Sequence, residues 1–136
     1  MKNTHQRGDV GELRIANEAS KRGYRVAFPY GHDHRYDLIV DRKGKLERVQ
    51  VKVVRSFEDK VIAYTRSLGT KNGESNRKLY THKEVDWIAI VDERTDRCYF
   101  VPIEVAENKD TVTLRLMPTK NKQQKGIWFA KDFEAW

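Results

Sequence analysis

Asp37, Gln50 and Lys52 set an acid, a neutral amide and an amine in order, with twelve residues between the first two and one between the last two. An acid and an amide carbonyl can hold a hard divalent cation; magnesium takes oxygen ligands at about 2.1 Å and keeps some of its waters. An ammonium beside that cation can stabilise the charge that grows on a phosphate, or orient and acidify an attacking water. The set therefore suits metal-assisted phosphodiester cleavage, with the Val51 backbone carbonyl completing the protein's share of ligands. A solvent-washed strand face would carry the same residue types, so the elements that hold them must decide whether they converge.

The stretch "RVQVKV" (48–53) alternates polar and apolar, with Val49, Val51 and Val53 on one strand face and Arg48, Gln50 and Lys52 on the other. "RVAFP", "YDLIVD" and "LERVQVKVVR" read as three strands, the last two joined by a tight turn around Lys43 and Gly44. Pairing Asp41 with Leu46, or Arg42 with Lys45, places Asp37 opposite Gln50, Tyr36 opposite Val51 and Leu38 opposite Val49. The reverse face then gathers Asp37, Ile39, Gln50 and Lys52. Opposed Cβ atoms lie about 5 Å apart, close enough to share one ion or one phosphate. Glu47 faces the valines on an unbulged strand, away from Lys52.

A helix is expected from Asp9 to Arg22, closed by Gly23. At about 100° per residue, Val10, Leu13, Ile15, Ala16 and Ala19 form one broad arc, and Arg14, Glu18, Lys21 and Arg22 the opposite one. Glu12 falls inside the apolar arc and so points towards the body of the domain. From there it can reach the metal directly or through water, or simply pair with an arginine at the edge of the face.

Together "GE" at Gly11–Glu12, "YD" at Tyr36–Asp37 and "QVK" at Gln50–Val51–Lys52 resemble the PD-(D/E)XK nuclease superfamily. The branch containing an intron-encoded homing endonuclease is the most similar, since glutamine there also replaces the acidic residue of the last motif. The resemblance implies a restriction-endonuclease-like core, α/β with a mixed central β-sheet flanked by helices. It implies a magnesium-dependent endodeoxyribonuclease, with manganese as a substitute, that hydrolyses double-stranded DNA and leaves a 5′-phosphate. Carried over, the catalytic set is Glu12, Asp37, Gln50 and Lys52, and the metal set Glu12, Asp37, Gln50 and Val51. Tyr36 stands where the superfamily usually has proline, which is not a ligand. Gln50 removes one negative charge, which weakens the metal and favours one held ion over two. Archaeal Holliday-junction resolvases resemble the chain more distantly, which keeps a structure-selective nuclease open. A DNA-binding protein that keeps the fold without cutting is the alternative for which Gln50 speaks.

The length of 136 residues suits one domain, 1–136. A formal net charge of +7 favours a polyanionic partner such as DNA. Cys98 is the only cysteine, so neither an intrachain disulfide nor a cysteine zinc site can form, and a reducing, cytoplasmic setting fits. The amino terminus lacks the apolar stretch of a signal peptide, and nowhere do about 18 apolar residues run together as a membrane span would need. The stretches "TRSLGTKNGESNRK" and "PTKNKQQKG" read as basic surface loops. Arg66, Lys71, Arg77, Lys78, Lys83, Lys120, Lys122 and Lys125 are the candidate DNA contacts, against the plain reading of a solvated charged rim. A double-strand cut by so small a chain calls for a homo-oligomer, a dimer or a tetramer.

His32 and His34 flank Asp33 and could form a histidine-centred metal site, although two histidines in a loop are more often polar loop residues. Gly69 and Gly73 lack the GK[ST] ending of a phosphate-binding loop. "VDWIAIV" and "CYFVPI" read as strands around the turn "DERTDR", and "TVTLRLM" as a strand with Val112, Leu114 and Leu116 inward. These strands extend the sheet or build an accessory one. The aromatic tail "GIWFAKDFEAW" reads as a short helix or turn covering the core, with helices expected on both faces of the active-site layer.

Overall fold

In the computed structural model, which describes residues 3–71, 74–121 and 125–136, the first helix (α1, Thr4–Lys21) starts well before Asp9. For 67–71 and 74–77 the backbone course alone is described. Asn3 caps the helix: its side chain accepts from the Gln6 backbone N–H (2.9 Å), while the Gln6 side chain accepts from the Asn3 N–H (3.1 Å). This reciprocal box satisfies two orphan donors and nucleates a polar first turn that hydrophobic periodicity cannot reveal. The other end falls where the sequence places it, with Gly23 at φ +80°.

The strands in chain order are β1 (Arg25–Ala27), β2 (Leu38–Arg42), β3 (Lys45–Val54), β4 (Lys60–Tyr64), β5 (Arg66–Lys71), β6 (Glu74–Leu79), β7 (Trp87–Asp92), β8 (Arg97–Pro102) and β9 (Thr111–Arg115). A short helix α2 (Ile103–Ala106) follows β8, and a 3-10 turn spans Ala130–Phe133. The central sheet runs β1-β2-β3-β7-β8, with β3 and β7 parallel and the other neighbours antiparallel. This is the mixed sheet of an α/β fold. The β2–β3 turn carries Lys43 and Gly44 at φ +56° and +81°, the left-handed pair that a two-residue hairpin demands. It sets the expected register: Asp41 opposite Leu46, Arg42 opposite Lys45 and Leu38 opposite Val49.

Strand alternation in the central sheet sends side chains into two cores. Val49 and Val51 join Leu38, Val40, Ala89, Phe100, Ile15 and Ala19 under α1. On the opposite side Ile88, Ile90, Tyr99 and Val101 pack against Val61, Ala63, Val112 and Leu114 of the antiparallel β4–β9 pair, with α2 and the terminal turn beside them. Strands thus cover most of the face where a second helix was expected, because β4 and β9 each turn their alternate aliphatic residues inward, Val61 and Ala63 from one and Val112 and Leu114 from the other. The basic stretch read as a loop is instead the antiparallel β5–β6 hairpin, Arg66 opposite Leu79 through Lys71 opposite Glu74. Its mostly polar sequence carries no apolar face to announce a strand. At the C-terminus Trp136 stacks on Phe100 (centroids 4.4 Å apart) and closes the α1 side, as core cover.

The buried stripe of α1 is narrower than the predicted arc: Gly11, Ile15 and Ala19 face the sheet, while Val10 (46%) and Leu13 (63%) are exposed. Arg14 and Glu18, assigned to the outer arc, lie sideways and half-buried, with Arg14 paired to Asp96. Gly11 explains the rotation. A Cβ there would stand 2.3 Å from Val53 Cγ2 and 3.5 Å from Val51 Cγ1, so only glycine lets the helix axis come this close to β3. Gly8, in the same helix, has nothing within 4 Å of its would-be Cβ. Gly8→Ala should therefore stabilise the fold by up to about 1 kcal/mol through helix propensity. Gly11→Ala should destabilise it by about 1–3 kcal/mol through overpacking, even after the same propensity gain. Urea unfolding of the two variants checks the opposite signs.

Candidate active site

The β2–β3 ladder ends at Leu38–Val49, and Asp37 takes over the next positions with its own groups. Its backbone N–H donates to Val49 O (2.8 Å), and its Oδ2 accepts from Val51 N–H (2.8 Å). The expected Tyr36–Val51 pairing therefore does not form, because the Asp37 carboxylate occupies the Val51 donor. Backbone groups alternate sides along a strand: Arg48 O and Val54 O accept from the β7 side, from Asp86 and Glu93, whereas those of Val49 and Val51 point to the β2 side. The Val51 carbonyl consequently opens on the same edge as the Asp37 carboxylate. The Gln50 amide reaches that carbonyl, with Nε2 at 3.4 Å, and a half-turn of the amide exchanges Nε2 for Oε1.

Glu12 comes from the other layer. Its helix rests on Val51 and Val53 through Gly11, which brings the next residue close to the sheet edge. Burial, then the charges of Asp37 and Asp9, push the Glu12 carboxyl up to about 7, and His34 opposes them. Asp37 is likewise raised by burial, opposed by the Val51 N–H and by the charges of Lys52 and His34. Two carboxyls in mutual electrostatic reach, both reluctant to ionise, form a site short of positive charge. The available donors are all oxygens: two carboxylates, the Gln50 carbonyl and the Val51 carbonyl. Such a set fits a hard divalent cation and does not suit a thiophilic one. Among the described residues no group of three or more His, Cys, Asp or Glu assembles for a metal, in keeping with glutamine at position 50.

Lys52 leaves β3 on the same face as Gln50, beside Ile90 of β7. Its Nζ donates to the Tyr80 hydroxyl (3.3 Å) and lies 5.0 Å from the Tyr80 ring centroid. Arg35 meets the same ring, its guanidinium carbon 4.1 Å from the centroid. Glu47 is buried and bonded to Arg42 (2.7 Å), on the valine side as expected. Arg48, on the polar face with Gln50 and Lys52, is held by Asp86 (3.0 Å). Both ring nitrogens of His34 face backbone carbonyls, of Tyr36 (2.9 Å) and Gly31 (3.1 Å). That anchors the loop before Asp37 and leaves no ring nitrogen turned to a metal.

The basic residues divide. Arg66 pairs with Asp110 (3.4 Å) and the exposed Lys78 with Glu84 (3.8 Å); Lys83, Lys120 and Lys125 are exposed as well. The backbones of Lys71 and Arg77 lie in the β5–β6 hairpin; their side chains, and all of Lys122, lie outside the described residues. Sequence reasoning missed Arg35 and Tyr80, since neither belongs to a spacing pattern. It used Gly11 only as a motif letter, when its role is to set the helix–strand distance.

The chain is similar to known proteins over most of its length. The sequence profile of the family described as PD-(D/E)XK endonuclease matches residues 2–136. Protein 5.3 of Escherichia phage T7 is 28% identical over 91 residues, which are 67% of this chain and 75% of that protein. The solved structure of a bacterial homing endonuclease, I-Ssp6803I, superposes with a TM-score of 0.74 at 26% identity, covering 91% of this chain and 84% of that one.

Proposed function

Since the chain belongs to the PD-(D/E)XK endonuclease family, we propose that it is a divalent-metal-dependent endonuclease that hydrolyses phosphodiester bonds in double-stranded DNA, in the manner of a homing endonuclease. The observation that supports this reading is the Asp37 carboxylate bonded to Val51 N–H (2.8 Å) on the edge where the Val51 carbonyl opens, with Glu12 in electrostatic reach of it. Magnesium is the proposed ion, held by Glu12, Asp37, Gln50 and the Val51 carbonyl. When bound it would supply Lewis-acid stabilisation of the scissile phosphate and a more acidic water. Asp37 and Glu12 hold the ion by charge, and the Asp37–Val51 hydrogen bond fixes the carboxylate's rotamer. Lys52 places its ammonium where negative charge grows on the phosphate, or orients the attacking water.

DNA as the substrate rests on the net charge of +7. Exposed Lys83, Lys120 and Lys125, with the β5–β6 hairpin, are the proposed contacts. A dimer or tetramer is proposed because a cut in both strands needs two sites. In the test, supercoiled plasmid is incubated with the protein in magnesium or in EDTA. Nicked and linear DNA with ligatable 5′-phosphates is expected only in magnesium; plasmid that is bound yet intact in both would make the chain a non-cutting DNA binder.

The neutral fourth ligand gives a further expected result. Gln50→Leu should slow cleavage at limiting magnesium by about tenfold and recover partly in excess metal, because one neutral oxygen is lost while both carboxylates remain. Cleavage rates over a magnesium titration check it.

A further inference from the structure

Lys52 carries its charge on a flexible four-carbon stem, and fixing such a stem costs side-chain entropy. Something must hold the ammonium in one place if it is to act on a phosphate. Building on the nuclease reading above, we propose that Tyr80 is a positioning residue for Lys52, and that Arg35 clamps Tyr80 for that task.

Tyr80 is only 4% exposed, yet its hydroxyl accepts from Lys52 Nζ (3.3 Å) and its ring lies within cation–π reach of the same ammonium (5.0 Å). Both contacts direct the ammonium without neutralising it, as a carboxylate would. Tyr80 is itself immobilised. Its carbonyl accepts from Asn108 N–H (3.0 Å), its ring packs in the core with Val61 and Ile88, and Arg35 covers it at 4.1 Å. Two cations on one ring would repel, but Glu84 holds Arg35 at 3.1 Å and offsets its charge. Arg35 also donates to the carbonyls of Leu79 (2.9 Å) and Lys78 (3.2 Å), the last residues of β6. It stands two residues before Asp37. One arginine thus ties together the segment presenting the metal carboxylate, the root of the β5–β6 hairpin and the ring that steers the lysine.

The test uses the full chain, with Tyr80→Phe keeping the ring and Tyr80→Leu removing it. Single-turnover cleavage of duplex DNA in magnesium is read beside the dissociation constant in calcium and the thermal midpoint. Tyr80→Phe should cleave about tenfold more slowly and Tyr80→Leu about a hundredfold, with DNA affinity within twofold of wild type. Tyr80→Phe should melt as wild type does. Proton NMR of Lys52 gives an activity-independent arm: the ring-current shift of its Hε protons should persist in Tyr80→Phe and vanish in Tyr80→Leu. If Tyr80→Leu does not fold, Tyr80→Phe decides alone. A wild-type cleavage rate in Tyr80→Phe, a parallel loss of DNA affinity, or no ring-current shift in the wild type overturns the inference. Wild-type protein that cuts no DNA overturns the nuclease reading, and the inference falls with it.

Discussion

Lys52→Ala is expected to slow DNA cleavage by about a hundred- to a thousandfold and Asp37→Asn by about a thousandfold or more, each leaving DNA affinity within several-fold. The two losses have different causes. Lys52→Ala removes a positive charge aimed where the phosphate becomes more negative, and losing one such preorganised donor costs about a hundred- to a thousandfold. Asp37→Asn leaves Val51 N–H its acceptor but removes the charge that binds the ion. Neither side chain belongs to the buried core, and Asp37 ionises reluctantly where it stands. Asp37→Asn should thus fold at least as stably as wild type without metal. Single-turnover cleavage, calcium-supported binding and denaturant unfolding together check the set; a variant that cuts at wild-type rate would remove that residue from the site.

Glu12→Gln is expected to abolish most of the metal-linked pH dependence. The Glu12 carboxyl ordinarily titrates near 4.5 and is pushed up to about 7 in the fold. Below about 4.5 it is protonated whether the chain is folded or not, so it costs nothing. Between the two values the fold keeps a proton that the unfolded chain has lost. Above about 7 the folded chain too must ionise it, beside Asp37, and the full cost is present. Without metal, stability should fall as pH rises from about 4.5 to about 7, by roughly 1–2 kcal/mol more in wild type than in Glu12→Gln, a figure discounted for solvent screening of a half-exposed group. A divalent ion competes with that proton, so its apparent affinity should rise towards pH 7 and then level off. Thermal melts from pH 4 to 8, with and without magnesium, check both signs. Identical pH dependence in wild type and Glu12→Gln would show that Glu12 lies outside the metal site.

The β2–β3 hairpin was legible because its signals are local. Lys43–Gly44 demands one turn type, the turn dictates the register, and the register carries Asp37 to the level of Gln50. Glu12 was legible as an inward carboxylate, although its helix faces the sheet differently from the plotted arc. That arc ranked residues by hydropathy, whereas the packing is decided by Gly11, whose missing side chain lets the helix approach β3. The β5–β6 hairpin was hidden because backbone hydrogen bonds alone define it in a polar stretch. Tyr80 and Arg35 were hidden because tertiary contact, and no spacing, brings them to Lys52. Asp37 replacing a strand partner with its own side chain is a departure from the ladder that counting residues cannot foresee.

The central claim is that Glu12, Asp37 and the Gln50–Val51 edge hold one divalent ion beside Lys52. Iron(II) substituted for magnesium generates hydroxyl radicals with ascorbate and peroxide, cutting the polypeptide wherever the ion sits, whether or not the protein cleaves DNA. Mass spectrometry of the fragments should find scissions next to Glu12, Asp37 and Gln50–Val51, suppressed by excess magnesium and absent in Asp37→Asn. Scissions clustered elsewhere, or an unchanged pattern in Asp37→Asn, would contradict the account.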